Sequence, residues 1–143
     1  MAGEGEGEGL LLREKAIELL ARREHSRLEL KQKLTSREFD SGEIEILLDE
    51  LEKQDLLSEE RFVEMFVRSR KNNGYGPKKI IAELQTRGIS NNLISSAVDE
   101  KSDEWRDNMI AAAKKKKVNR EQLFRFLLYR GYSPTLIYQW LKT

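Results

Sequence analysis

The sequence predicts an all-α fold, an elongated, curved array of three tandem three-helix repeats. Apolar residues recur at helical spacing almost throughout residues 10–143, as in the stripe Ile44, Leu47, Leu48 and Leu51. No segment alternates polar and apolar residues over the length of a strand. Signals for helix starts and stops also recur at a common spacing, which is typical of internal repeats.

The chain opens with alternating glycine and glutamate, which cannot bury apolar surface, so a disordered acidic tail is expected over residues 1–9. The first repeat is predicted over residues 10–57. Its first helix carries the apolar stripe Leu12, Ala16, Ile17 and Leu20. Residues 26–29 form a capping box for the second helix, and residues 40–43 form a variant of one for the third.

The second repeat, predicted over residues 58–101, begins with Ser58 as a helix cap, followed by two glutamates that suit the positive end of the helix dipole. Pro77 then stands at the first position of its next helix, where the missing N–H costs little. Pro134 has the same place in the third repeat, predicted over residues 102–143.

The three repeats share a cap followed by apolar positions. Ser26, Leu30, Leu34, Phe39 and Ile44 match Gly76, Ile80, Leu84, Ile89 and Leu93, and both sets match Asn119, Leu123, Leu127, Tyr132 and Leu136. Gly88 and Gly131 stand where a Schellman cap needs a left-handed residue. The first repeat has Glu38 there, at a cost of about 1 kcal/mol if that conformation is kept. We therefore expect this turn to differ.

The near-neutral net charge of +1 hides a strong asymmetry. Residues 1–60 hold 9 Lys and Arg against 17 Asp and Glu, a net charge of −8. Residues 61–143 hold 17 against 8, a net charge of +9. Such a division indicates different partners for the two parts, with a polyanion favoured by the second.

Composition excludes several classes of site. The chain has no cysteine and one histidine, His25, so thiolate ligands, disulfides and sites with two imidazoles are excluded. The sequence contains no P-loop, and its scattered carboxylates form no catalytic pair. We predict no catalytic residues, no metal and no cofactor, and thus no enzyme. Without a long apolar run or a secretory signal, a cytoplasmic protein with no membrane partner is expected.

Candidate residues for binding a polyanion come from the basic repeats. They are Arg68, Arg70, Lys71, Tyr75, Lys78, Lys79, Arg87, Arg125 and Arg130. An architectural explanation is equally open, in which Tyr75 pins two helices and the cations are solvated. Arg87 and Arg130 precede cap glycines, so the helix dipole alone explains them. The run of lysines at 114–117 is explained at least as well by a solvated helix end as by DNA contact.

Several motifs, in register with the repeat, resemble the bacterial RecX family. They are Arg23-Glu24-His25-Ser26 leading into Glu29-Leu30, Gly74-Tyr75-Gly76-Pro77, Gln85-Thr86-Arg87-Gly88-Ile89, and the segment from Arg125 to Tyr132. The similarity runs from about Leu11 to Leu141. Two departures are the glycine–glutamate tail and the compact lysine-rich entry to the third repeat.

The resemblance implies a regulator that binds the RecA filament on single-stranded DNA. It implies inhibition of the recombinase, ATPase and co-protease activities of RecA, and so modulation of recombinational repair and the SOS response. The candidate residues would face the filament or its DNA. Direct nucleic-acid contact through repeats 2 and 3 stays open, and a monomer is expected.

Two other classes of function remain as alternatives. One is a sequence-specific helix-turn-helix DNA-binding protein. The starts of the third helices, at residues 42–43, 91–92 and 134–135, hold no arginine for reading guanine, which argues against it. The other is a helical scaffold for another protein.

Overall fold

A computed structural model describes residues 2–143 of the chain, with side chains from Gly7 onward. This part contains nine helices and no strand, which confirms the all-α prediction. The helices are α1 (Ala2–Arg22), α2 (Arg27–Thr35), α3 (Ser41–Lys53), α4 (Glu59–Asn72), α5 (Pro77–Thr86), α6 (Asn91–Ala97), α7 (Glu104–Lys114), α8 (Arg120–Tyr129) and α9 (Pro134–Leu141). The predicted repeat limits at residues 57 and 101 fall in the segments before α4 and before α7. No helix among the described residues is long and apolar enough to cross a membrane.

The chain divides into two compact units, Met1–Phe62 and Val63–Thr143, which we call unit 1 and unit 2. The core of unit 1 is almost wholly aliphatic. It consists of Leu12, Ala16, Leu19, Leu30, Leu34, Ile44, Leu47, Leu48, Leu51 and Leu57. The predicted stripe of α1 is partly wrong, because Ile17 is exposed and Leu19 is buried in its place. Two overlapping helical stripes share Leu12 and Ala16, and only packing against α2 and α3 selects between them.

Helix α1 begins at Ala2, so the structure differs from the predicted disordered tail over residues 2–9, while Met1 lies outside the described residues. Burial starts only at Leu12, since Leu10 and Leu11 are 64% and 59% exposed. A Cβ atom at Gly9 would meet nothing within 4 Å. Burial alone therefore does not decide where this helix begins. A helix already held by its packed turns gains one hydrogen bond for each residue added, and this extends it into unpacked residues.

The turn after α2 also corrects an expectation. Glu38 has φ 66°, a left-handed conformation like that of Gly88 (φ 78°) and Gly131 (φ 100°). The backbone path of the repeat is therefore kept although its residue is not glycine. Phe39 packs against the core of unit 1, and the Asp40 side chain accepts a hydrogen bond from the Glu43 N–H at the start of α3. These flanking contacts hold the strained residue in place.

Unit 2 contains most of α4 together with α5 to α9. Its larger buried residues include Trp105, Met109, Ile80, Leu84, Leu127, Tyr132 and Ile137. The indole N–H of Trp105 donates a hydrogen bond to the Asp99 carbonyl at 2.7 Å, so the largest side chain of this core keeps its polar atom satisfied.

Candidate nucleic-acid interface

The end of α4 fixes the first candidate residues. Gly74 has φ 84°, and its N–H donates to the Lys71 carbonyl at 2.9 Å. The N–H of Tyr75 donates to the Arg70 carbonyl at 3.0 Å, which completes a Schellman cap. The left-handed residue that this cap needs explains the glycine, and the cap sets Tyr75 close to Arg70.

Directly after this turn, two backbone hydrogen bonds connect the start of α5 to the end of α8, inside unit 2; we call this contact the α5–α8 joint. The N–H of Gly76 donates to the Arg130 carbonyl at 2.7 Å, and the N–H of Lys78 donates to the Gly131 carbonyl at 3.1 Å. Free N–H groups at the start of α5 thus satisfy free carbonyl groups after α8. A Cβ atom at Gly76 would lie 2.7 Å from the carbonyl of Gly131, so only glycine lets the two backbones meet.

Tyr132 completes the joint from the core side. Its hydroxyl donates to the Gly74 carbonyl at 2.9 Å and accepts from the Asn108 amide at 2.8 Å. Asn108 also donates to the Tyr75 carbonyl at 3.2 Å. Burial raises the pKa of Tyr132 to about 12, against the opposing hydrogen bond from Asn108. The Tyr132 hydroxyl is therefore neutral, and its two hydrogen bonds connect the Gly74–Gly76 turn to Asn108 of α7.

A series of pairwise contacts links cations and aromatic rings in unit 2. The order is Arg87, Phe66, Arg70, Tyr75, Arg130, Phe126 and Lys116, which we call the cation–ring series. The shortest approach is that of the Arg70 guanidinium to the Tyr75 ring, at 3.9 Å, and Arg130 lies 4.4 Å from the same ring. Two guanidinium groups so close to one ring leave little room for a nucleobase to stack on Tyr75.

Further bonds hold several of these cations inside the unit. Arg70 forms two hydrogen bonds with the Glu83 carboxylate, at 3.0 and 2.6 Å. Arg130 donates to the Asn73 carbonyl at 2.6 Å. Lys71 pairs with the Glu104 carboxylate, and its ammonium lies 4.8 Å from the centre of the Trp105 ring. These candidates have structural partners, as the architectural alternative expects.

The remaining candidates reach solvent to different degrees. Arg68 is exposed and pairs with Glu64 one turn earlier on α4, at 2.9 Å. Lys78 and Arg125 are exposed, and Lys79 is half-buried, with its ammonium 4.6 Å from the Tyr129 ring. Arg87 ends α5, where it donates to the Glu83 carbonyl at 3.1 Å. The structure thus brings together Arg70, Lys71, Tyr75 and Arg130, and sets Arg68, Lys78 and Arg125 on the surface.

Sequence reasoning missed a cleft of about 510 Å³ beside this series. It is lined by the cations Lys71, Lys115, Lys116 and Arg130, by Asn72 and Asn73, and by small residues of α7. Among its described lining residues there is no carboxylate. The signal that could have found it was the run of lysines at 114–117, of which only the middle two line the cleft.

The fold and this basic surface define a class, all-helical proteins built from tandem three-helix domains. Residues 13–51 match the family model described as RecX, first three-helix domain, and residues 58–98 match that described as RecX, second three-helix domain. The chain belongs to the RecX family, which confirms the resemblance that its motifs indicate.

Relatives and solved structures agree with this. "Regulatory protein RecX" of Pseudomonas putida strain GB-1 is 40% identical over 134 residues, covering 88% of this chain and 86% of the relative. The protein of the same name from Legionella pneumophila strain Corby is 38% identical over 131 residues, covering 85% and 87%. The crystal structure of RecX from Lactobacillus salivarius has a TM-score of 0.79 at 22% identity, covering 95% of this chain and 96% of that one. This last likeness supports the fold.

Proposed function

We propose that this protein is a cytoplasmic, non-enzymatic regulator that binds, as a monomer, the RecA filament on single-stranded DNA and inhibits the recombinase, ATPase and co-protease activities of RecA. It would thereby modulate recombinational repair and the SOS response. Membership of a family whose relatives are named regulatory proteins supports this proposal. A filament of protein on DNA offers both a protein surface and a row of phosphates, and this chain has an acidic and a basic part.

Apart from family membership, the main support for the proposal is the net positive charge of unit 2. Residues 63–143 hold 16 Lys and Arg against 8 Asp and Glu, a net charge of +8. Lys79, Lys116 and Arg130 lie over aromatic rings, and a ring attracts a cation without cancelling its charge. The field of the unit therefore extends into solvent, where it attracts a polyanion.

The candidate residues then divide into two roles. Lys78, Lys79, Arg68 and Arg125 would contact the filament or its phosphates, since their side chains reach the surface. Arg70, Lys71, Tyr75, Arg87 and Arg130 would build and orient that surface through the contacts described above.

The decisive experiment measures three activities of RecA with and without this protein at equimolar concentration. They are ATP hydrolysis on single-stranded DNA, filament assembly and repressor cleavage. The proposal expects all three to fall. If all three continued unchanged, or if the protein without RecA strongly preferred one duplex sequence, the proposal would be wrong.

A charge-matched pair of variants tests the surface role. Lys78→Glu with Lys79→Glu is expected to weaken filament binding by at least tenfold with little change in stability. Lys101→Glu with Arg106→Glu is the control, because both side chains are exposed in the same unit and the change in net charge is identical. If both double variants weakened filament binding equally, Lys78 and Lys79 would not be specific contacts of the binding surface.

A further inference from the structure

We propose that the cleft between α7, α8 and the end of α4 binds a phosphate group of a nucleic-acid strand. This α7–α8 cleft is defined by Lys71, Asn72, Asn73, Lys115, Lys116 and Arg130. This inference rests on the proposed function, and it adds a specific site for the nucleic acid of the filament. Its test needs no RecA, so the two can fail separately.

The charge of the cleft is the first argument. Among the described residues, no carboxylate lies within ion-pair distance of Lys115, Lys116 or Arg130. Lys116 is held by the Phe126 ring at 4.9 Å, and Arg130 by that ring and by a backbone carbonyl. Neither kind of partner removes the positive charge, so the cations keep their attraction for an anion.

The shape of the cleft is the second argument. Its lining includes the small residues Gly74, Ala111 and Ala112. A Cβ atom at Gly74 would lie 3.2 Å from the Ala112 Cβ and 3.4 Å from an Arg130 guanidinium nitrogen, so a side chain there would crowd this lining. The volume of about 510 Å³ is in the range of sites for small organic ligands, and suits a nucleotide unit better than a bare ion.

The kind of donor favours a strand over a free phosphate ion. Lys115 and Lys116 are exposed, as are Asn72 and Asn73 at the end of α4. A lysine is a point charge on a mobile stem, which suits a backbone whose neighbouring phosphates share several cations. A small anion bound specifically needs fixed donors that enclose it.

The run of lysines supplies its own matched control. Lys115→Glu with Lys116→Glu changes two residues that line the cleft, whereas Lys114→Glu with Lys117→Glu changes their neighbours by the same net charge. Binding of fluorescent oligothymidylate is measured by anisotropy at several salt concentrations, without RecA. The cleft pair is expected to lose about tenfold more affinity than the control pair. The magnitude of its negative slope of log K against log salt should fall by about 0.7, since each phosphate contact on a single strand contributes about 0.7 and the cleft is proposed to bind one phosphate group. Equal losses by the two pairs would overturn the proposal.

A second pair of variants leaves every cation in place. Ala111 is an exposed residue on the cleft side of α7, so Ala111→Glu brings a carboxylate to the cleft and Ala111→Gln brings the same volume without charge. Only the glutamate variant is expected to lose affinity for oligothymidylate, by about tenfold. Unchanged binding by it would overturn the proposal, as would displacement of the oligonucleotide by inorganic phosphate far below the millimolar range. RecA inhibition, measured in parallel, reports on the proposed function alone.

Discussion

The two units stabilise their cations in different ways. In unit 1 the Arg27 guanidinium lies 2.9 Å from carboxylate oxygens of Glu45, Asp49 and Glu52, and Arg61 bridges Glu24 and Asp55. In unit 2 Arg68, Arg70 and Lys71 also pair with carboxylates, but Lys79, Lys116 and Arg130 lie over aromatic rings instead, and the cation–ring contacts described above all lie in this unit. A carboxylate cancels the charge that it holds, whereas a ring does not. Net charge alone therefore understates how differently the two units act on a polyanion.

The aromatic residues also make the two units separable by experiment. Both tryptophans, Trp105 and Trp140, and every tyrosine of the chain lie in unit 2. Tryptophan fluorescence therefore reports on the unfolding of unit 2, while far-UV circular dichroism reports on all the helices. The predictions for Gly131, Glu38 and His25 below use this difference.

The largest effect is expected from Gly131→Ala, which disrupts the backbone contact between the end of α8 and the start of α5 in unit 2. Gly131 has φ 100°, and a Cβ atom there would lie 2.5 Å from the backbone nitrogen of Lys79. Strain and overlap together should lower the free energy of unfolding by about 2–4 kcal/mol. The fluorescence transition in urea should move to lower denaturant.

Gly9→Ala is the control for that variant, because a Cβ atom at Gly9 meets nothing within 4 Å. Alanine in a helix should leave the fluorescence transition unchanged and add slightly to helix content. A stable Gly131→Ala protein with its transition unmoved would contradict the close approach of the two backbones.

The next prediction compares an arginine held by carboxylates in unit 1 with an arginine held by aromatic rings in unit 2. Arg27→Met removes an ion-pair network, and Arg130→Met removes two ring contacts and one hydrogen bond to a carbonyl. Each should cost about 1 kcal/mol at low salt. In 1 M salt the cost of Arg27→Met should shrink because ion pairs are screened. The cost of Arg130→Met should persist, and equal screening of both would erase the distinction between the units.

A smaller gain is expected from Glu38→Gly in unit 1. Glu38 is exposed and has φ 66°, so glycine should relieve left-handed strain and stabilise unit 1 by about 0.5–1 kcal/mol. Circular dichroism should show the gain while the fluorescence transition stays in place. Glu38→Ala is the matched control, since alanine keeps the strain. A gain of equal size from alanine would show that the glutamate side chain, and not its backbone, causes the cost.

The same turn shows what the sequence can and cannot predict. The caps at Ser26, Gly88 and Gly131 are local, so spacing alone predicts the helices and their repeat. Which cations reach solvent is not local. Arg70 finds Glu83 and Tyr75 only once α4, the turn and α5 are folded together, and the α7–α8 cleft exists only where α4 ends against α7. Residue type marks a basic surface, but tertiary contacts decide which members of it are free to bind.

The smallest effect is a pH dependence confined to unit 1. His25 is buried, its Nδ1 lies 3.0 Å from the Arg23 carbonyl, and the Lys33 ammonium donates to its Nε2 at 2.8 Å. Burial is the largest cause that lowers the pKa of His25 below its usual 6.5, and the positive charges of Arg23 and Lys33 act in the same direction. The hydrogen bond to the Arg23 carbonyl and the charge of Glu29 oppose this shift. The unfolded chain then binds more protons than the folded one as the pH falls below 6.5.

The stability that neutral His25 contributes is therefore complete above pH 6.5 and is lost as the pH falls towards the lowered pKa. The free energy of unfolding from circular dichroism should decrease between pH 7.5 and 5. Tryptophan fluorescence should report no such change, because His25 is the one histidine of the chain and lies in unit 1. His25→Gln should remove this decrease and leave the opposite effect of Glu59, whose pKa is raised by burial, so that acidification then adds slightly to stability. The lowered pKa of Glu29 acts only below about 4.5, outside this window. If the free energy of unfolding of His25→Gln still decreased between pH 7.5 and 5, another group would bind the proton. If the unsubstituted protein became more stable on acidification, the burial of a neutral imidazole would be contradicted.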